Sequence, residues 1–186
     1  MKIKLLMLTL AMSCIFAGGA TAMTKTEYKA QQDTIVGQYK VAKDKCSGLK
    51  ANAKDICMSE AKGYEKVAKA DLEAQYEPSA RHTEKAAMAK SDAAYDTAKE
   101  KCDDLSGNAK SVCRKDAKAL HVTAKEEARV ARMSAETGKV NNAMRKEATA
   151  DEKEAQYKAA AQRCDALAGA PKDACVSDAK VKYGMK

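Results

Sequence analysis

The sequence contains no tryptophan and one phenylalanine, Phe16, which lies in the leader-like first 22 residues. Isoleucine and leucine are also few after residue 22, so the chain cannot bury a large apolar core, and an ordinary globular domain is excluded. Alanine and lysine, both strong helix formers, dominate instead. This composition predicts an all-α chain of slender antiparallel helices, packed through small residues as in a coiled coil.

The motifs that carry chemistry are also missing. There is no Gly-rich phosphate loop, no Ser or Cys nucleophile motif and no C-x-x-C redox pair. His82 and His121 are isolated from each other and from carboxylates at metal spacing, which favours surface or helix-packing roles. The methionines that follow the leader are scattered, which argues against a copper cluster. We therefore expect no enzyme activity, no catalytic residue, no metal and no cofactor.

What the chain does have is a stretch that occurs three times. Each copy carries two cysteines 11 positions apart, a leucine three residues after the first cysteine and a closing Ala-Lys. A tyrosine precedes each first cysteine by seven residues. The copies are residues 45–62 (KCSGLKANAKDICMSEAK), 101–118 (KCDDLSGNAKSVCRKDAK) and 163–180 (RCDALAGAPKDACVSDAK). An internal repeat of this kind predicts one supersecondary unit used three times.

The spacing of the two cysteines distinguishes a straight rod from a bend. On one α-helix, 11 residues rise about 16.5 Å, whereas a disulfide needs Cα atoms within roughly 7 Å. Gly107 and Gly169 lie five residues after the first cysteine, where we expect them to end a helix in the left-handed conformation. The first copy has Ala51 at this position and is the weakest of the three.

Helix start signals follow these stop signals directly. Asn108 is a good N-cap, and the aligned Asn52 has Asp55 three residues later, as in a capping box. Pro171 stands where we expect the first helical position of the third copy. A stop followed by a start predicts a tight antiparallel helical hairpin with each cysteine a little over one turn from the bend.

Apolar and small residues mark the faces on which these helices would pack. The entering helices share a stripe at helical spacing, and the leaving helices carry an alanine four residues after the second cysteine. Two leaving helices add a large side chain after seven residues, Tyr64 and Leu120. The stripes are Tyr39/Ala42/Cys46/Leu49, Tyr95/Ala98/Cys102/Leu105 and Tyr157/Ala160/Cys164/Leu167, and the alanines are Ala61, Ala117 and Ala179. Such stripes are more typical of packing than of a binding site.

Residues 1–22 are typical of a secretory signal peptide. Lys2 and Lys4 open the segment, an apolar run follows over residues 5–17, and Ala20-Thr21-Ala22 forms a small-residue cleavage site. We expect cleavage after Ala22, a mature chain without a transmembrane span, and export to the periplasm. Lipidation of Cys14 is the alternative.

Removal of the leader would change the cysteine count from seven to six. An even set in an exported chain predicts a disulfide framework. Six cysteines allow 15 pairings, and the repeat favours pairing within each copy. The expected structural disulfides are Cys46–Cys57, Cys102–Cys113 and Cys164–Cys175. Six small buried thiols are the alternative, whereas zinc pairs are usually two to four residues apart.

Helix signals divide the mature chain into three hairpin repeats, over residues 23–77, 78–138 and 139–186. The helices are expected at residues 24–49, 53–76, 79–106, 109–136, 140–167 and 171–183. Glu77-Pro78 predicts a break because the residue before proline avoids the helical conformation. The break near Thr137-Gly138 is softer and is also compatible with a hinge in one long helix. Whether the hairpins are extended or loosely bundled stays open at this point, as does the oligomeric state.

The net charge of the whole chain is +8, and loss of Lys2 and Lys4 with the leader leaves 32 basic against 26 acidic residues, a net charge of +6. Most charges of opposite sign alternate, which is typical of solvated helix faces. Attraction to anionic envelope components such as lipid head groups or lipopolysaccharide is the alternative interpretation. No basic platform with interleaved aromatic residues is present, so nucleic acid is not an expected partner.

The exported leader, the Tyr-x-x-x-Ala-Lys-x-[Lys/Arg]-Cys entries at Tyr39–Cys46 and Tyr95–Cys102, and the C-x2-L-x7-C-x3-A-K units resemble a family of small exported, Ala/Lys-rich helical envelope proteins of Gram-negative bacteria. Some of these are labelled TolA-like. The third entry, Tyr157–Cys164, departs from the pattern at Ala161 and Gln162. The resemblance implies periplasmic residence and no particular activity. The TolA-like label rests on composition, and because we expect no transmembrane anchor, the role of TolA does not transfer to this chain.

Together these features predict a non-enzymatic periplasmic helical repeat protein with a structural, stress-related or partner-binding role in the cell envelope, its partner being an envelope protein. The alternative function is an electrostatic binding module for anionic envelope components.

Overall fold

The computed structural model describes residues 22–139 and 142–186, and helices occupy nearly all of them. The elements are α1 (Lys25–Cys46), α2 (Ala51–Tyr76), α3 (Ala80–Cys102), α4 (Gly107–Thr137), α5 (Asn142–Cys164) and α6 (Ala170–Tyr183). The described residues contain no strand. The fold is therefore all-α, as predicted. The predicted leader, including Cys14, lies outside the described residues apart from Ala22.

Three disulfides join neighbouring helices into hairpins, with the pairing that the repeat predicts. Cys46–Cys57 joins α1 to α2, Cys102–Cys113 joins α3 to α4, and Cys164–Cys175 joins α5 to α6. The Cα atoms of each pair are 5.6, 5.6 and 5.7 Å apart. This separation is about a third of the rise expected along one straight helix, so the chain doubles back within each copy.

The entering helices end earlier than predicted. Each stops at its cysteine, whereas the sequence predicted three further residues or more. A carbonyl three residues back accepts the next backbone N–H, as in the bond from Leu49 N to Cys46 O, which tightens and closes the turn. The leucines of the predicted stripe consequently lie in the loops and are exposed, so their packing role was predicted wrongly. They are Leu49, Leu105 and Leu167.

A residue with positive φ is present at this position in every copy, but it opens the leaving helix. Gly107 and Gly169 have φ of 54° and 59°, and Ala51 has φ of 48°. Gly107 and Ala51 are the first residues of α4 and α2, and Gly169 is the N-cap of α6. The prediction that these residues end the entering helix was wrong, because that helix has already stopped at its cysteine and the residue reverses the loop into the next one.

The predicted N-caps are wrong because the leaving helices begin earlier than expected, so Asn52 and Asn108 lie inside α2 and α4. Lys50 and Ser106 occupy the N-cap positions without a side-chain cap bond, and Pro171 is the second residue of α6. Asn52 points across to α3, where its Nδ2 donates to the carbonyl oxygen of Glu100 and to Asp104 Oδ1, both at 2.7 Å. It therefore joins two hairpins and forms no capping box.

The breaks at the opposite end of the helices are confirmed. α2 ends at Tyr76 before Glu77-Pro78, and Ser79 caps α3 by accepting a hydrogen bond from the backbone N–H of His82. α4 ends at a left-handed Gly138 with φ of 65°. Because α5 then packs antiparallel along α4, the alternative of one long hinged helix is wrong.

The helices form a single row. Among the described residues, each helix packs only against the helices that precede and follow it in the chain. The hairpins lie side by side, since Asn52 of the first reaches Asp104 of the second, and Asn108 of the second is 3.0 Å from Gln162 of the third. The three disulfide turns consequently lie along the same edge of the row.

Alanine supplies most of the interior. The buried set among the described residues is Ile35, Leu72, Ser91, the three first cysteines and ten alanines, and the largest fully buried side chains are Cys46, Cys102 and Cys164. The alanines that follow each second cysteine by four are buried, as predicted. Tyr64 and Leu120 are exposed, so their predicted packing is wrong. Where α2 passes Ala93 of α3, a Cβ on Gly63 would come within 2.9 Å of Ala93 Cβ, so only glycine allows this approach.

Replacing Ala51 with glycine is expected to stabilise the chain by about 1 kcal/mol. A left-handed residue with a Cβ costs roughly 1–2 kcal/mol, and the added unfolded-state freedom of glycine offsets part of that gain. Denaturant unfolding of Ala51→Gly against the parent measures the change. Gly107→Ala is the matched control: no atom lies within 4 Å of its new Cβ, so it should lose a similar amount through conformation alone. Equal signs for the two variants would refute this explanation.

The third disulfide is expected to hold its hairpin more critically than the second. α6 packs only against α5, whereas α3 and α4 also pack against α2 and α5. In Cys164→Ser/Cys175→Ser, the amides of α6 should lose hydrogen-exchange protection while α2 and α3 keep theirs. In Cys102→Ser/Cys113→Ser, the free energy of unfolding should fall by up to about 3 kcal/mol, with α3 and α4 still protected. Equal local unfolding in both variants would contradict the single-row packing.

Candidate functional surfaces

The most enclosed polar cluster surrounds His121, at the contact between α3 and α4. The His121 ring stacks on Tyr95 with centroids 4.6 Å apart, and only 9% of its side chain is exposed. Its Nδ1 lies 3.1 Å from Ser91 Oγ and 3.3 Å from the Ser91 carbonyl oxygen, while Nε2 lies 3.6 Å from Asp92. His121 therefore packs between α3 and α4, which is one of the two roles that the sequence predicted for it.

The hydrogen bonds show what this cluster can do. Ser91 is buried, and its hydroxyl donates to the carbonyl oxygen of His121 at 3.2 Å. With its proton on Nδ1, His121 donates to the Ser91 carbonyl oxygen in return. The two residues therefore cross-link α3 and α4, and the serine oxygen is buried at the contact between these two helices.

Burial lowers the pKa of His121, because a protonated imidazolium is poorly solvated in this seam. The hydrogen bond to the Ser91 backbone and the charge of Asp92 raise this pKa, while Lys118 and Lys125 lower it, and the net direction is downward. Burial also disfavours ionisation of Asp92, but the hydrogen bond from Lys66 (2.7 Å) and the nearby positive charges bring the pKa of Asp92 below its usual value.

A second electrostatic feature lies between α4 and α5, where two carboxylates of α4 act on a carboxyl group of α5. Burial raises the pKa of Glu152, and the charges of Glu127 and Glu126 raise it further. Arg129 is the cation nearest to Glu126, with 3.6 Å between Nη1 and Oε2. Glu126 lines a cavity of about 320 Å³ between α4 and α5, and lysines from both helices, such as Lys125 and Lys158, line it too, so its charge is mixed.

A shallow apolar groove follows α1 and α2 over about 680 Å³. Val41, Ala42 and Gly37 of α1 and Ala61 and Tyr64 of α2 line it. The hydroxyl of Tyr64 donates to Gln38 Oε1 at 2.9 Å across the groove. Val41 and Tyr64 are exposed, so the groove presents apolar side chains to the solvent.

The seams between hairpins carry matching polar contacts. Glu60 of α2 pairs with Lys101 of α3 at 2.9 Å, and at the aligned positions Asp116 of α4 pairs with Arg163 of α5 at 2.5 Å. Asn52 and Asn108 are likewise aligned, and both reach the next hairpin. Sequence reasoning assigned the two asparagines to caps. The sequence signal that could have identified the seams is an acid and a base at the same positions of each repeat.

The six predicted site cysteines are brought together in pairs, and the two sulfurs of each pair differ in access. The first cysteine of each copy is fully buried, with at most 1% of its surface exposed, whereas the second is half-buried. The second group is Cys57, Cys113 and Cys175. These are the sulfurs that an attacking thiolate would reach first.

His82, the other predicted isolated histidine, lies where α3 begins. Its Nδ1 is 2.6 Å from the carbonyl oxygen of Glu77, and its Nε2 is 3.6 Å from Glu73. Within residues 22–139 and 142–186 no group of three or more His, Cys, Asp or Glu side chains is placed to hold a metal ion. None of the helices in those ranges is both long and apolar enough to cross a membrane.

No protein-family model, curated protein or solved structure matches this chain.

Stability is expected to fall on acidification through His121. The unfolded histidine titrates near pH 6.5 and the folded one lower, so the unfolded state binds more protons in that interval. The contribution is therefore complete above about pH 6.5 and is lost as pH drops toward the folded pKa. Denaturant unfolding between pH 8 and pH 4 should show this loss, and His121→Gln should lack it.

His82→Gln is the control, since it removes the other histidine and should retain the acid sensitivity. Each variant is compared with the parent at the same pH, because the raised pKa of Glu152 acts in the opposite direction on the absolute curve. Identical pH profiles for His121→Gln and the parent would refute the assignment.

Proposed function

We propose that the chain is a non-enzymatic helical repeat protein of the Gram-negative periplasm, with a structural, stress-related or partner-binding role in the cell envelope. The observation that carries the proposal is the set of three disulfides, one per repeat. Disulfides in every copy are typical of an oxidising compartment. The leader-like segment before Met23 and the resemblance to exported Ala/Lys-rich envelope proteins support the periplasm in particular.

The arrangement of the helices supports a role in binding other molecules on exposed helix faces. A single row of helices leaves two broad faces and both outer helices open to partners. The polar cluster at His121, in contrast, cross-links α3 and α4 within the second hairpin. The open apolar groove along α1 and α2 gives one of these faces a place for an envelope protein to dock. An extended helical surface of this type is typical of repeat proteins that bind or space other molecules.

The alternative, an electrostatic module for anionic lipid head groups or lipopolysaccharide, has less support. The net charge is positive, but four lysines of the described residues pair with carboxylates of a neighbouring helix, among them Lys66 with Asp92 and Lys90 with Asp71. Around the cavity between α4 and α5, lysines again alternate with acids such as Asp151 and Glu154. Charges already paired across the seams add little attraction for an anionic surface.

Expressed in a Gram-negative cell, the chain is expected to be released by osmotic shock, to begin at Met23, and to resist thiol alkylation until reductant is added. Mass spectrometry of the released protein reads all three properties. The physical reason is that cysteine thiols are oxidised to disulfides in the periplasm, whereas the cytosol keeps them reduced.

Two variants make this experiment decisive. A chain started at Met23 should stay in the cytosol with its thiols alkylated. Cys14→Ser should leave the location of the full chain unchanged, whereas release from the membrane only in this variant would indicate a lipid anchor. A full-length chain that stays with spheroplasts, with all seven cysteines reactive, would overturn the proposal.

A further inference from the structure

The two seams between hairpins define a repeated interface. Alignment on the cysteines places α2 against α3 and α4 against α5 through equivalent positions, with the leaving helix of one repeat packed on the entering helix of the next. The same alignment assigns two outer faces, those of α6 and α1. α6 is a leaving helix and α1 is an entering helix, and no described helix covers the face that each would use in a seam.

The first match between these outer faces is electrostatic. Inside the row, Glu60 pairs with Lys101, and Asp116 pairs with Arg163. The equivalent acid of the third repeat is Asp178 on α6, and the equivalent base of the first repeat is Lys45 on α1. Both are exposed and neither makes an ion pair within the described residues. The acid and the base of a third seam are thus present at opposite ends of the row.

The second match is steric. Gly63 of α2 faces Ala93 of α3, and at the equivalent positions α4 has the buried Ala119 and α5 has Ala155. α6 carries Val181 at this position, with 80% of its surface exposed, and α1 carries Gly37. No atom lies within 4 Å of a Cβ built on Gly37. A large side chain on one outer face therefore corresponds to an open glycine on the other.

The length of the match can also be read from the helices. α6 ends at Tyr183, which aligns with Glu65 of α2, whereas the α2–α3 seam continues to Ala70, packed with Ala86 and Ala89. Over the stretch that α6 can reach, α1 presents Gly37 and Val41. Its next position outward, equivalent to the buried Ala89, is the exposed Asp33. α1 is thus small and apolar where α6 would lie, and polar beyond.

We propose that the chain associates head to tail with a second copy of itself, α6 of one molecule packing on α1 of the next as α2 packs on α3. The interface joins two different faces, so it extends into open chains of molecules or closes into a ring. It is shorter than the internal seams, and α6 has Ala170 where Asn52 and Asn108 make cross-seam hydrogen bonds. Association is therefore reversible and depends on concentration. This inference does not depend on export, whereas an envelope protein docked in the groove along α1 and α2 would compete with the second copy for Gly37 and Val41.

Sedimentation velocity of the purified, disulfide-bonded chain over a wide concentration range tests the proposal. The average mass should rise with concentration. Lys45→Glu and Asp178→Lys should each raise the concentration needed for association by about tenfold or more, because each places like charges face to face. The double variant Lys45→Glu/Asp178→Lys restores opposite charges and should regain association. An equimolar mixture of the two single variants should do the same.

Two further variants complete the test. Lys43→Glu, which makes the same charge change two residues away on another face of α1, should associate like the parent. Val181→Arg should abolish association without unfolding the chain, since this side chain is exposed in the monomer. A monomer at every concentration overturns the proposal. So does a dimer that ignores Asp178→Lys, which would indicate pairing of α1 with α1, or association that the double variant fails to restore.

Discussion

The constraint on which the rest of the structure depends is a covalent one: each entering helix ends on a cysteine that is bonded to the helix that follows. The interior offers little else to set the pairing of helices, because its side chains are mostly alanine and the largest fully buried ones are the cysteines themselves. Each disulfide closes a ring of 12 residues, which the chain-entropy model values at about 3 kcal/mol. That is a large share of the stability of a chain whose apolar burial is small. The same bonds that position the helices therefore replace the core that the composition cannot build.

A row in which each helix touches only its chain neighbours distributes that stability locally. Its energy is close to a sum of hairpin terms and seam terms, as in other repeat proteins. The α2–α3 seam relies on close approach at Gly63, and the α3–α4 hairpin adds the stacked Tyr95 and His121 to its disulfide. The last hairpin has the shortest helix and no further neighbour. Local stability is thus expected to decrease toward α6, even though the three disulfides have nearly the same Cα separation.

Sequence reasoning succeeded where the deciding signal is local. The Cys spacing, the left-handed glycines and Glu77-Pro78 act within a few residues, and the hairpins, the disulfide pairing and the breaks followed from them. It failed where a partner tens of residues away decides. The local sequence does not reveal that Asn52 bonds to the Glu100 carbonyl of α3, 48 residues on, or that Tyr95 of α3 stacks on the ring of His121. The prediction for the stripe leucines failed for another reason. Each entering helix ends at its cysteine, so these leucines lie outside the helix, and helix propensity alone does not reveal where the helix ends.

The outer helices show how the repeat balances solubility against association. Terminal repeats of an array usually carry a polar outer face, because an unmodified seam would keep recruiting partners. Here that change is partial. α6 has lost the asparagine that joins neighbouring repeats, and α1 has gained Asp33 in place of a buried alanine, yet Lys45 and Asp178 keep the charges of an internal seam. Removing the directional hydrogen bond while retaining the charge pair weakens an interface without abolishing its specificity, since the charges still set which faces meet and in what register. The outer faces therefore have the features expected of a seam reduced in strength, and the proposed association uses the register already built twice inside the molecule.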